Sequence, residues 1–87
     1  MMKTENKYIK IEDYKHTGKT KGFEVWNKSG DYIIAEISWY SNWRQYCLML
    51  NENMVFNSEC LELITDFLKE LNIEHRKGWK QQVNKQL

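Results

Sequence analysis

The feature that most constrains the fold is the alternation of apolar and mixed positions from Tyr32 to Tyr40. A period of two residues is typical of a β-strand that has one buried face. The apolar face of this strand is predicted to consist of Ile33, Ala35, Ile37 and Trp39. Ser41-Asn42 indicates a turn, and the run WRQYCLML from Trp43 to Leu50 predicts a further strand. The chain should therefore be organised around an antiparallel pair of strands.

The segments before this pair also predict extended structure. Phe23–Asn27 is predicted to be a strand, followed by a turn in which Ser29-Gly30 supplies the backbone freedom that a hairpin needs. Residues 8–12 alternate and predict a short strand at a sheet edge. The sequence HTGKTKG, residues 16–22, is predicted to be a loop because glycine, threonine and lysine cluster there.

An amphipathic helix is predicted in the C-terminal part of the chain. Asn57 or Ser58 can cap its first turn, and we expect it to end at Asn72 or just beyond. Its apolar stripe is predicted to consist of Cys60, Leu61, Ile64, Phe67, Leu68 and Leu71. The predicted fold class is therefore α+β, with a small antiparallel sheet of three to four strands and the helix packed on one face.

The net charge of +1 hides an uneven distribution of charge along the chain. Residues 1–22 carry +3, residues 23–74 carry −6, and residues 75–87 carry +4. Such basic ends are typical of solvated tails or of segments that attract a polyanion. We expect one domain over all 87 residues, with an ordered core over about 8–73 and flexible basic tails at 1–7 and 75–87.

The titratable and sulfur-containing residues predict no catalytic centre. Cys47 and Cys60 lie in apolar patterns and are expected to be reduced core thiols. With His16 and His75 they form no close-spaced pair of zinc ligands, and no nucleophile has a recognisable base beside it. We therefore expect no enzymatic activity, no cofactor and no metal. Because the sequence has neither a membrane-spanning apolar run nor a secretory signal, we expect a cytoplasmic protein.

One helix covers only one face of the sheet, so the other face should be open to a partner protein. That face is predicted to hold Glu24, Trp26, Tyr32, Ile34, Glu36 and Tyr40. The face that Tyr46 uses depends on a strand register that the sequence leaves open. Because Tyr, Trp and Arg dominate interface energies, the predicted partner-binding residues are Trp26, Tyr32, Tyr40, Trp43, Arg44 and Tyr46. The alternative is that this face is buried by segment 8–14, by the C-terminal tail or by a second copy in a homodimer.

Nucleic-acid binding through the basic ends and the sheet is the alternative function. The residues that would contact phosphates are Lys19, Lys21, Arg76, Lys77 and Lys80. The acidic middle of the chain opposes this function because a phosphate backbone is attracted by positive charge.

A resemblance to small uncharacterised proteins of phages and mobile elements is carried by two runs, FEVWNKSGDYIIAEISWYSNWRQYCLML and VFNSECLELITDFLKELN, within residues 23–72. The resemblance implies a non-enzymatic inhibitor or adaptor that acts on a host or defence protein. The element order is also similar to the sheet-type DNA-binding domains of some phage integrases. Those domains need basic strands, whereas the strands here offer Arg44 together with the acidic Glu24 and Glu36.

Overall fold

The computed structural model describes residues 3–17 and 20–86, with side chains over 3–14 and 20–77. In these ranges the elements are β1 Ile9–Thr17, β2 Thr20–Asn27, β3 Tyr32–Tyr40, β4 Gln45–Leu50 and α1 Ser58–Gln86. The strands form one antiparallel sheet in the order β1-β2-β3-β4, with sequential strands as neighbours. The predicted α+β fold with one helix and up to four strands is confirmed.

β1 and β2 form a longer hairpin than the sequence indicates. The predicted edge strand is present, but it continues to Thr17, and β2 begins at Thr20. The predicted loop at 16–22 is therefore wrong outside Gly18 and Lys19, which are not among the described residues. Pairing between the two strands outweighs the weak strand propensity of glycine and lysine.

A bulge in β3 changes the faces on which Ile33 and Ile34 lie. The register shifts by one residue after the Val25–Ala35 pair, and the next pair is Trp26–Ile33. Ile34 is thus an extra residue in β3, and it is buried with 2% of its surface exposed. Ile33 is half-buried and lies beside Trp26 on the opposite face. The predicted faces are wrong at these two positions and at Tyr32, which pairs with Asn27 on the side of Val25, because strict alternation cannot anticipate an inserted residue.

The core lies between the sheet and α1. It consists of Ile9, Ile11, Phe23, Val25, Ile34, Ala35, Ile37, Tyr46, Cys60, Leu63, Ile64, Phe67 and Leu71. Phe23 and Phe67 meet edge to face with ring centroids 5.0 Å apart, which joins β2 to the helix. The predicted helix stripe is confirmed in most positions, but Leu63 is buried where Leu61 was expected, and Leu61 is 49% exposed.

The start of α1 agrees with the prediction and its end does not. The Oδ1 atom of Asn57 accepts a hydrogen bond from the Cys60 N–H at 2.9 Å, which caps the first turn. The predicted end at Asn72 or just beyond is wrong, because α1 continues to Gln86. The Asn72 amide bonds to β4 instead of to its own backbone. The division into an ordered core and two flexible tails stays a prediction.

Within the described residues, no helix is both long and apolar enough to cross a membrane.

Candidate interaction surface

The β3–β4 turn carries three of the predicted partner-binding residues, Tyr40, Trp43 and Arg44, which together are called the turn surface below. Trp43 is 66% exposed, and its ring meets the Tyr40 ring edge to face at 5.2 Å. The Trp43 N–H donates to the Tyr40 carbonyl at 3.2 Å, and the Arg44 N–H donates to the Ser41 carbonyl at 3.3 Å. Arg44 has a φ of 52°, the left-handed conformation that side chains other than glycine seldom adopt.

Trp26 and Tyr32 lie at the other end of the sheet. Trp26 is half-buried on the open face, and the Lys10 Nζ lies 5.7 Å from its ring centroid. Tyr32 is 47% exposed, and its hydroxyl accepts a bond of 3.5 Å from the Asn27 side chain. Tyr32 and Tyr40 are the two ends of β3, and eight residue steps along an extended strand place them roughly 27 Å apart. The predicted residues therefore form two groups and not one continuous patch.

Tyr46 belongs to the core, so the prediction that it lies on a partner-binding surface is wrong. Its side chain is 4% exposed, and its ring packs edge to face against Trp39 at 5.3 Å. The reason is the register of β4, in which Trp39 pairs with Tyr46 and Ile37 pairs with Leu48. These pairs lie on the face that α1 covers.

A row of three glutamates crosses the open face of the sheet. Glu12 pairs with Glu24, and Glu24 pairs with Glu36, on three neighbouring strands. Tyr14, which lies at a register shift in β1, donates a hydrogen bond from its hydroxyl to Glu36. This hydrogen bond raises the pKa of the Tyr14 phenol, with smaller contributions from burial and from the charges of Glu36 and Glu24. Lys10 lies 3.9 Å from Glu12 on the same face, so the row combines three carboxylates with one neighbouring lysine.

The sequence placed Glu24 and Glu36 on this face but did not add Glu12, because the full row depends on two strand registers at once. A signal was nevertheless present, since Glu12, Glu24 and Glu36 are spaced at equal intervals of twelve residues, with hairpin turns between them. Like charges directly opposite one another in a sheet are destabilising. The row is thus a feature that the fold tolerates and does not require.

The structure brings several of the predicted phosphate-contacting residues to one end of the molecule. The Lys21 N–H donates to the Tyr46 hydroxyl at 3.0 Å, and the Tyr46 ring meets the His75 ring at 5.8 Å. Arg76 and Lys77 are exposed on α1 immediately after His75. Lys21 and these two residues therefore lie at the same end as the β3–β4 turn.

Two members of the predicted phosphate-contacting set fall wholly or partly outside the described residues. Lys19 lies outside the described residues, and the side chain of Lys80 does as well, although its backbone is within α1.

A groove of about 360 Å³ runs between β4 and α1, next to the turn surface. Its lining residues are Trp43, Gln45, Tyr46, Cys47, Leu48, Thr65, Leu68, Lys69 and Asn72. Asn72 closes part of the strand edge: its Oδ1 accepts from the Tyr46 N–H at 2.7 Å, and its Nδ2 donates to the Tyr46 carbonyl at 3.3 Å. The groove is mixed in polarity, which suits contact with a protein segment more than with a phosphate chain.

The side chains that could bind a metal are dispersed. Among the described residues, no group of three or more His, Cys, Asp or Glu side chains could hold a metal ion. Cys47 and Cys60 are both free thiols, the first half-buried in β4 and the second buried under the sheet.

Comparison with known proteins gives a match to a phage protein. Over 71 residues the chain is 34% identical to the "uncharacterized 9.3 kDa protein" of Acholeplasma phage L2. The match covers 80% of this chain and 90% of the phage protein. The chain belongs to the family of that phage protein. This confirms the resemblance to small phage proteins, while no family model and no solved structure matches.

Proposed function

We propose that this protein is a non-enzymatic binding module, encoded by a phage or mobile element, that inhibits or adapts a host or defence protein. The observation that carries the proposal is the turn surface, where Trp43 stands 66% exposed with Tyr40 packed against its ring. A large aromatic ring that is held in place but left in water is typical of an interface anchor.

The conformation of Arg44 gives the proposal further support. A left-handed backbone costs a residue other than glycine about 1 kcal/mol, and such strain is concentrated at functional sites. Arg44 directly follows Trp43 in the sequence and is exposed, so an aromatic anchor and a planar cation belong to the same turn. Tryptophan and arginine are the residue types most enriched among those that dominate binding energy.

The chemistry of the described side chains supports a role without catalysis. A hydrogen bond from Lys28 lowers the pKa of Glu5, and the hydrogen bond to Glu36 raises the pKa of Tyr14. The Glu5 carboxylate and the Tyr14 phenol both lie at the surface. Their pKa shifts are explained by the ion pair with Lys28 and by the hydrogen bond to Glu36. Catalytic groups are instead expected in a cleft beside a nucleophile or a second acid.

The test is capture of a host protein from nuclease-treated bacterial lysate by the immobilised protein, followed by mass spectrometry. Trp43→Ala and Arg44→Ala should each weaken binding of the captured protein at least about tenfold, as expected for central interface residues. Tyr32→Ala is the matched control, since Tyr32 is also an exposed aromatic but lies at the opposite end of β3. All three variants should keep the native circular dichroism spectrum. Equal binding by the Trp43 variant and the control would remove the turn surface from the proposal.

Nucleic-acid binding is the second candidate, and one observation favours it. Lys21, Arg76 and Lys77 lie at the same end as the turn surface, so positive charge and exposed aromatic rings are adjacent there. The row of glutamates on the open face opposes binding through the sheet. A nucleic-acid complex should be lost on nuclease treatment and should weaken steeply with salt, and Arg76→Ala should reduce the salt slope by about one.

A further inference from the structure

The sheet has two outer edges, and the first part of the β1 edge is covered by the chain itself. The Ile11 N–H donates to the Thr4 carbonyl at 2.7 Å, and the Asn6 N–H donates to the Ile9 carbonyl at 3.0 Å. Glu5 forms a bridge with Lys10 between these two contacts. Further along β1, the register shift between residues 13 and 15 interrupts the ladder. Covering residues and bulges are the means by which proteins prevent a strand edge from pairing with another chain.

The β4 edge is covered at one residue. Asn72 holds the N–H and C=O groups of Tyr46, which point away from β3. Because these directions alternate along a strand, the N–H and C=O groups of Leu48 and Leu50 point the same way. Among the described residues, no hydrogen bond engages these outward groups of Leu48 or Leu50. Leu50 is also 63% exposed, so half of β4 is an open and apolar edge.

The helix presents a second apolar feature beside this edge. Thr65 and Leu68 line the groove along β4, and Leu61 lies one turn before Thr65 on the same side of α1. Leu61 is 49% exposed and Leu68 is half-buried. Leu61, Thr65 and Leu68 are called the helix stripe below.

We propose that β4 pairs with β4 of a second copy of this chain about a two-fold axis, which joins the two sheets into one of eight strands. The strand from Gln45 to Leu50 carries no charged side chain, so self-pairing opposes no like charges. An antiparallel edge is complementary to itself, and the part of β1 that residues 4–6 cover is closed to head-to-tail growth of the sheet.

The helix stripe favours a second copy over an unrelated strand. Antiparallel pairing of two identical edges requires an axis perpendicular to the sheet, so both helices lie on the same face. Each helix stripe then faces its counterpart across the axis, and the exposed Leu61 side chains are covered. In a register with Leu48 opposite Leu50 of the second copy, pairing uses the open part of each strand. The hydrogen bonds between Asn72 and Tyr46 then stay in place.

Sedimentation equilibrium of the full chain tests the pairing over a range of protein concentrations. The wild-type mass should rise from one chain to two with concentration, since the interface is small and the dimer should be reversible. Leu50→Lys should raise the dissociation constant at least about tenfold, because a lysine on a strand edge blocks pairing. Val55→Lys is the matched control, because Val55 is 87% exposed and lies outside the strand, and it should dimerise as the wild type does.

Amide hydrogen exchange identifies the interface even if Leu50→Lys disturbs folding. In the wild type, the amides of Leu48 and Leu50 should become more protected as concentration rises, while the Tyr46 amide stays protected throughout by Asn72. A protein that remains a monomer, with both leucine amides exchanging freely at every concentration, would overturn the proposal. So would a monomer in which Leu50→Lys reduces capture of the host protein, since β4 would then serve a partner strand. Failure of either kind leaves the Trp43 test of the proposed function unaffected.

Discussion

The two edges of the sheet are closed by different parts of the chain, and the difference separates local from long-range stabilisation. β1 is covered by residues 4–6, which lie only a few positions before it and are largely exposed. β4 is covered at Tyr46 by Asn72, which is 26 positions away and half-buried on the helix. The β1 closure is built mostly from contacts within the N-terminal half of the chain, with one exposed hydrogen bond from the Asn6 side chain to the Glu59 carbonyl of α1 at 3.3 Å. The β4 closure is made by the helix residue Asn72 and requires the helix to be docked. Local, exposed closures are expected to open at a smaller free-energy cost.

Breaking the β4 closure should have the largest effect. Asn72→Ala leaves the Tyr46 N–H and C=O groups without partners at a partly buried position, so we expect a loss of about 2 kcal/mol in the free energy of unfolding. Urea denaturation measures this loss. Asn42→Ala is the matched control, since Asn42 is exposed in the turn and its removal should cost less than about 0.5 kcal/mol. Equal effects of the two substitutions would mean that Asn72 does not hold the edge.

Breaking the β1 closure should have a smaller effect. Asn6→Ala removes an Oδ1 atom that accepts from the Tyr8 N–H at 2.8 Å and from the Ile9 N–H at 3.0 Å. It also removes the exposed Nδ2 hydrogen bond to the Glu59 carbonyl at 3.3 Å, so we expect a total loss of about 1 kcal/mol. Thr4→Ala serves as the control on the same segment, because Thr4 contributes its backbone carbonyl and not its side chain. A cost for Asn6→Ala that matches or exceeds that of Asn72→Ala would reverse the proposed ranking of the edges.

Acid should open the β1 edge and leave the β4 edge closed. The hydrogen bond from Lys28 lowers the pKa of Glu5, so its stabilising contribution is present above the ordinary glutamate pKa and is lost as pH falls through the lowered value. The Ile11 amide, which donates to Thr4, should lose a modest part of its exchange protection below about pH 4. The Tyr46 amide should not respond in this range. Glu5→Gln should abolish the loss of exchange protection that the Ile11 amide shows in acid. If the amide of this variant still loses protection in acid, other carboxylates are responsible.

The local elements were predictable because their signals lie in short stretches of sequence. The period of two in β3 and the apolar stripe of α1 both gave the right element, and Asn57 gave the right helix cap. The ends of elements were less predictable. Glycine and lysine at 18–22 indicated a loop, but strand pairing extends β2 through most of that stretch, and Asn72 did not end the helix.

The candidate surface was predicted in part. Tyr40, Trp43 and Arg44 lie together because they belong to one short turn, so their proximity is a local property. Tyr46 was placed wrongly because its face is decided by pairing with Trp39 and by contact with the helix. The face on which Tyr46 lies could therefore not be predicted from its neighbours in the sequence.

The sequence alone determined the type and order of the strands and the helix, since apolar periodicity and turn chemistry are encoded in neighbouring residues. The tertiary structure decided which residues face outward. The bulge at Ile34 changed the faces at the end of β3, the strand registers aligned three glutamates, and the helix closed β4 at Tyr46 while leaving Leu50 open. The physical reason is that register and edge coverage arise from hydrogen bonds and packing between segments that are distant in the chain.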